Sequence, residues 1–146
     1  MEQILSFIKV VFFGNTVLLN SAPVNLDEQW NIVRFENTVE AITIGAAVQI
    51  RISRVSPLFV EATNSTSTFE VAQKVLPEGT IEAILFDENG IEYSFSKRQL
   101  SIARDYVSYG LRSESPIPTG VLFTHLKIRS EKRLENIEVY WKNFSN

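Results

Sequence analysis

The feature that most constrains this chain is a run of aliphatic residues at every second position. Ile42, Ile44, Ala46, Val48, Ile50 and Ile52 alternate with Thr43, Gly45, Ala47, Gln49, Arg51 and Ser53. Successive side chains of a strand point to opposite faces, whereas a helix returns to the same face every three or four residues. The run is therefore a strand with one aliphatic face and one small or polar face. It is longer than the usual strand of about five or six residues. Gly45 marks a candidate bulge or bend where the strand moves between sheets.

The same period continues along the chain. Residues 30–35 form a shorter strand ahead of it. Residues 80–96 form a hairpin around Asn89 and Gly90, which both tolerate the positive φ that a two-residue type I′ turn needs. Counting outward sets Phe86 opposite Tyr93, Ile84 opposite Phe95 and Glu82 opposite Lys97, all favourable cross-strand pairs. It also sets Asp87 against Glu92, a repulsion that a four-residue loop over residues 87–90 avoids. Residues 106–112 carry Val107, Tyr109 and Leu111 on one face. Residues 121–129 carry Leu122, Leu126 and Ile128 on one face and Phe123, His125, Lys127 and Arg129 on the other. Residues 137–141 turn Ile137, Val139 and Trp141 inward, leaving Glu138, Tyr140 and Lys142 outward.

One stretch breaks the pattern. Ser67 and Glu70 have capping-box spacing, Val71, Ala72, Val75 and Leu76 repeat at helical spacing, and Pro77 and Gly79 end the run. About seven short strands separated by turns predict an all-β fold. The expected form is an antiparallel two-layer sandwich, immunoglobulin-like or jelly-roll-like, with one short helix near residues 68–76.

Residues 4–24 are the most apolar stretch, and three conformations compete for them. Their length suits a membrane-spanning helix, but Lys9, Gly14, Asn15 and Asn20 interrupt it. A secretory signal would place its apolar core over residues 10–19, yet the leading Met1, Glu2 and Gln3 lack positive charge. A core hairpin would pair residues 10–13 with residues 16–19 about Gly14 and Asn15. The chain thus divides into an apolar segment, 1–24, and a β-sandwich domain, 25–146. An anchor or signal favours a membrane-associated or extracytoplasmic location over a cytoplasmic one.

A length of 146 residues matches a single domain. The absence of cysteine excludes disulfides, a thiol nucleophile and thiolate-bound metals. A single histidine, His125, excludes a multi-histidine metal site within one chain. No hydrolase elbow, phosphate loop, zinc helix or dinucleotide fingerprint is present. Acid pairs such as Asp87 with Glu88, or Glu82 with Glu92, lie in or beside a turn, where acids solvate loops. No catalytic, metal-binding or cofactor-binding residue is therefore expected, and no cofactor.

Residues 1–96 carry twelve acids and five bases, and residues 97–146 carry nine bases and five acids. The densest basic feature is Lys127, Arg129, Lys132 and Arg133, with Tyr140 nearby in sequence. These five are the candidate partner-binding residues. Tyr106 and Tyr140, both pointing outward, are a candidate sugar-stacking pair. The expectation is a non-enzymatic interaction domain, tethered or exported if residues 4–24 act as anchor or signal. Its partner would be another protein or an envelope component; nucleic acid is disfavoured, and a membrane would be met through residues 4–24. The alternatives are a carbohydrate-binding module and a soluble assembly or inhibitor protein, such as a virion component or toxin antagonist.

Overall fold

A computed structural model describes residues 16–41, 46–60 and 67–143. Nine strands fill most of them: β1 (Thr16–Leu18), β2 (Val24–Leu26), β3 (Asn31–Glu40), β4 (Ala47–Ser53), β5 (Ile81–Asp87), β6 (Glu92–Ile102), β7 (Tyr106–Ser113), β8 (Leu122–Ser130) and β9 (Leu134–Lys142). Two short helices, α1 (Pro57–Val60) and α2 (Thr68–Val75), separate β4 from β5. All pairings are antiparallel, in the order β1-β9-β4-β7-β6-β5-β8-β3, with β2 also paired to β9. The all-β antiparallel expectation holds.

The two layers are limbs of one continuous sheet that curls into a half-barrel. The corner lies in β6, the longest strand at eleven residues. Its start pairs with β5 and the remainder pairs with β7. Phe95 pairs with Ser113 and Lys97 with Arg112, so Ser96 is an extra residue. Such a bulge bends a strand and lets it pass between layers. Rings from the two limbs meet inside the curl. Phe123 on β8 lies 5.4 Å from Trp141 on β9, although four strands separate β8 from β9 in the sheet. Asn143 closes one end by donating from Nδ2 to Glu40 O at the far edge, at 3.2 Å.

Alternation places the core as the sequence predicts on several strands. Val48, Ile50 and Ile52, then Val107, Tyr109 and Leu111, then Ile137, Val139 and Trp141 are all buried. Ser67 caps α2, its Oγ accepting from Glu70 N at 3.2 Å, and Val71 and Ala72 are the buried face. Arg54 ties the helix start to the β6–β7 turn, donating to Thr68 Oγ1 at 2.8 Å and to Ala103 O and Arg104 O.

Two local expectations are corrected. The β5–β6 register is shifted by one: Leu85 pairs with Tyr93, Ala83 with Phe95, and Phe86 with Glu92. The loop holds three residues rather than two or four. Gly90 N bonds Asp87 O, Asp87 N bonds Ile91 O, and Gly90 has φ +83°. This is a type I turn closed by a left-handed glycine. A one-residue slip exchanges the faces of a strand, so Ile84 and Phe86 face outward. On β8, Phe86 pairs with His125 and Asp87 with Phe123, making Thr124 the extra residue of a bulge. The bulge carries Phe123 into the core, away from the face of His125, Lys127 and Arg129.

Of the apolar segment 4–24, residues 16–18 are strand β1 and Leu19 is buried. β1 and β2 both pair with β9, so the sheet begins before residue 25. Residues 10–15 and the candidate bend at Gly45 lie outside the described residues. Among the described residues, no helix is long and apolar enough to cross a membrane.

Candidate functional site

The outer face of the β3, β8 and β5 limb follows from the register. Ile32, Lys127 and Ile84 form one cross-strand row, and Arg34, His125 and Phe86 form the next. Arg129 pairs with Glu82 in a third row, beside Trp30, which immediately precedes β3. Arg129 Nη2 and Nε lie 3.0 and 3.3 Å from Glu82 Oε1.

The cations and rings of this face are interleaved. Arg129 Cζ sits 4.4 Å from the Trp30 ring centroid, and Lys127 Nζ sits 5.0 Å from it. Lys127 Nζ is also 5.9 Å from the Phe86 ring. His125 stacks on Phe86 with centroids 4.5 Å apart and planes 4° from parallel. Burial first, and the charge of Arg34 second, hold the His125 pKa below its ordinary value. The imidazole is accordingly neutral near pH 7. Ile32 is 62% exposed at the outer edge of the patch. Among the described residues, neither Arg34 nor Lys127 lies in an ion pair.

The five candidate binding residues are distributed over different surfaces. Lys127 and Arg129 belong to this face. Lys132 lies at the β8–β9 connection, lining an open cleft of about 580 Å³ with Glu28, Thr80, Glu82, Arg129 and Glu131. Arg133 points to another cleft, of about 610 Å³, and meets Glu135 at 3.6 Å in an exposed ion pair. Tyr140 stands on the other limb. β8 and β9 are consecutive in the chain but belong to opposite limbs, and that separates Tyr140 from the basic set.

Tyr106 and Tyr140 do share one face, the outer surface of the β9, β4 and β7 limb. Arg51 lies between them, its Cζ 4.5 Å from the Tyr106 ring and 3.8 Å from the Tyr140 ring. The guanidinium thus occupies ring surface that a stacked sugar would need. Tyr140 also donates to Glu138 Oε1 at 3.3 Å; burial first, then Glu138, raise its pKa.

The acid pairs find structural work. Asp87 is 6% exposed, and its Oδ1 accepts from Asn89 N at 2.9 Å and Ile91 N at 2.8 Å. Its Oδ2 accepts from Tyr93 at 3.4 Å. Glu82 is engaged by Arg129. His125 Nδ1 lies 3.0 Å from Thr124 Oγ1. No carboxylate among the described residues is within hydrogen-bond distance of the imidazole.

Ile32, Arg34, Ile84 and Phe86 were not singled out from the sequence as binding residues. Ile84 and Phe86 become visible only once the three-residue loop fixes the register. The signal available was Gly90 itself, the residue such a loop needs at its left-handed position. The chain matches no protein-family model and no curated protein.

Proposed function

We propose that this chain is a non-enzymatic interaction domain that docks a protein partner on the outer face of β3, β8 and β5. The carrying observation is the juxtaposition of Ile32, Ile84, Phe86 and Trp30 with Arg34, Lys127 and Arg129 on one face. Tryptophan and arginine are enriched where binding energy concentrates, and exposed aliphatic groups add area removed from water. Arg34 and Lys127 leave the face positive, which suits a partner with an acidic rim and steers its approach. Stacked on Phe86, the His125 ring adds aromatic area to the face.

The test is affinity capture from extracts of the native host using the full chain, its Ile32→Glu/Lys127→Glu variant and its Tyr140→Ala variant. The reading predicts a partner recovered by the wild type and by Tyr140→Ala, lost with the double variant, and weakened by added salt. A partner held equally by the double variant overturns it. So does turnover in a hydrolase screen that disappears with His125→Ala.

A further inference from the structure

The opposite limb carries a depression of about 160 Å³ on the outer face of β4, β7 and β6, with Lys142 of β9 at its side. Its floor is Ala47 and Gly110, and its walls are Gln49, Gln99, Ser101 and Lys142. The floor is low for a backbone reason. Gly110 pairs with Gln99, and a Cβ at Gly110 would lie 3.0 Å from Gln99 O, so a side chain there would need the neighbouring backbone to give by a few tenths of an ångström.

The surrounding rows are rich in hydrogen-bond donors. Lys142, Ala47, Arg112 and Lys97 form one cross-strand row, in which Lys97 and Arg112 are direct partners. Like charges placed opposite one another on neighbouring strands are destabilising, and this row concentrates them at the rim. Arg51, Ser108 and Ser101 form the row on the other side. Arg51 is fixed between two rings, and its Nε and the Ser108 Oγ are buried without a hydrogen-bond partner. Buried polar atoms are ordinarily satisfied. Arg112 and Lys142 have contacts of their own, so the lining groups assigned to a ligand are Gln49, Gln99 and Ser101, with Lys97 in the adjoining row.

From this geometry we infer a second binding site, which takes a small oxyanion, a phosphate or carboxylate group on a compact ligand. Size decides against a peptide or a drug-sized molecule: the depression offers about 160 Å³, whereas such ligands occupy pockets of about 300–1,000 Å³. Chemistry decides for an anion. Two carboxamides and a hydroxyl are able to donate, Lys97 in the adjoining row adds positive charge nearby, and the one acid in the flanking rows, Glu138, is bonded by Tyr140. The site lies on the other limb from the proposed docking face and stands or falls without it.

The test is an NMR titration of the labelled full chain with sodium phosphate, sodium acetate and glucose at constant ionic strength. Saturable shifts at Gln49, Gln99, Ser101 and Gly110 are expected with at least one anion and not with glucose. Phosphate alone would identify a phosphoryl ligand, and acetate alone a carboxylate. The Gln49→Ala/Gln99→Ala variant should bind about tenfold more weakly or worse, as loss of bonds to a charged group implies. Ser101→Leu, at an exposed position, should abolish the shifts by filling the depression, and Lys127→Ala should leave them unchanged. No saturable shift with either anion, equal shifts with glucose, or undiminished binding by Ser101→Leu would overturn the assignment.

Discussion

The single imidazole of this chain reports on the proposed docking face at atomic scale. Its unfolded-state pKa is near 6.5, and the folded protein holds it lower, through burial and then Arg34. The folded state therefore binds this proton more weakly than the unfolded chain. Its contribution to stability is complete above pH 6.5 and is lost as the pH falls from there through the folded-state value. Arg34→Ala should move the His125 titration upward, short of 6.5, because burial remains. One-dimensional NMR of the ring protons checks this, and an unmoved pKa would remove Arg34 from the neighbourhood of the ring. Asp87 offers a second residue-scale test. Replacing it with alanine strands two loop amides and should cost about 1–3 kcal/mol in urea denaturation. The same change should lower the raised pKa of Tyr93, of which burial is the larger cause and Asp87 the next. Asp87→Asn, which keeps one acceptor oxygen, should lose less stability.

Among the elements, strands with strict alternation were legible and those with a bulge were not. β4, β7 and the part of β9 from Ile137 onward bury the residues that a period of two selects, because an uninterrupted strand has no freedom to do otherwise. The capping box marks α2 for an equally local reason: Ser67 Oγ accepts from the first-turn amide of Glu70 within the segment. β5, β6 and β8 failed at single residues. One loop residue more than a type I′ turn exchanged the faces of Ile84 and Phe86, and Thr124 turned Phe123 inward. Gly90 is a composition signal for the loop, whereas the bulge at Thr124 has none, because it is set by what both neighbouring strands require. The candidate face was missed with them, since its aromatic half depends on that register. The loop itself makes a prediction. Gly90 at φ +83° should lose about 1–2 kcal/mol on Gly90→Ala, the cost of a left-handed alanine, and less on Gly90→Asn. Thermal unfolding of the two variants checks the order, and an alanine variant as stable as wild type would contradict the three-residue loop.

Across the whole molecule, the uneven charge of the two halves disappears into the strand order. β1, β4, β5 and β3 come from the acidic part of the chain, and β9, β7 and β8, from the basic part, lie between them. Six of the eight ladders among the described residues therefore join strands far apart in sequence, the β5–β6 and β6–β7 hairpins being the exceptions, and neither limb can form from a contiguous stretch of chain. The curl is held from inside by Phe95 on β6, Phe123 on β8 and Trp141 on β9, whose ring centroids lie 5.4–6.2 Å apart. Removing the middle ring with Phe123→Ala should cost about 3–5 kcal/mol, a large part of the ~5–15 kcal/mol typical of a domain. Because the limbs share β6 and this cluster, the variant should still unfold in a single transition, shifted to lower urea, with tryptophan fluorescence and far-ultraviolet circular dichroism coinciding. Two separate transitions would mean that the limbs are independent layers after all, and that the bend at Ser96 joins them without coupling them.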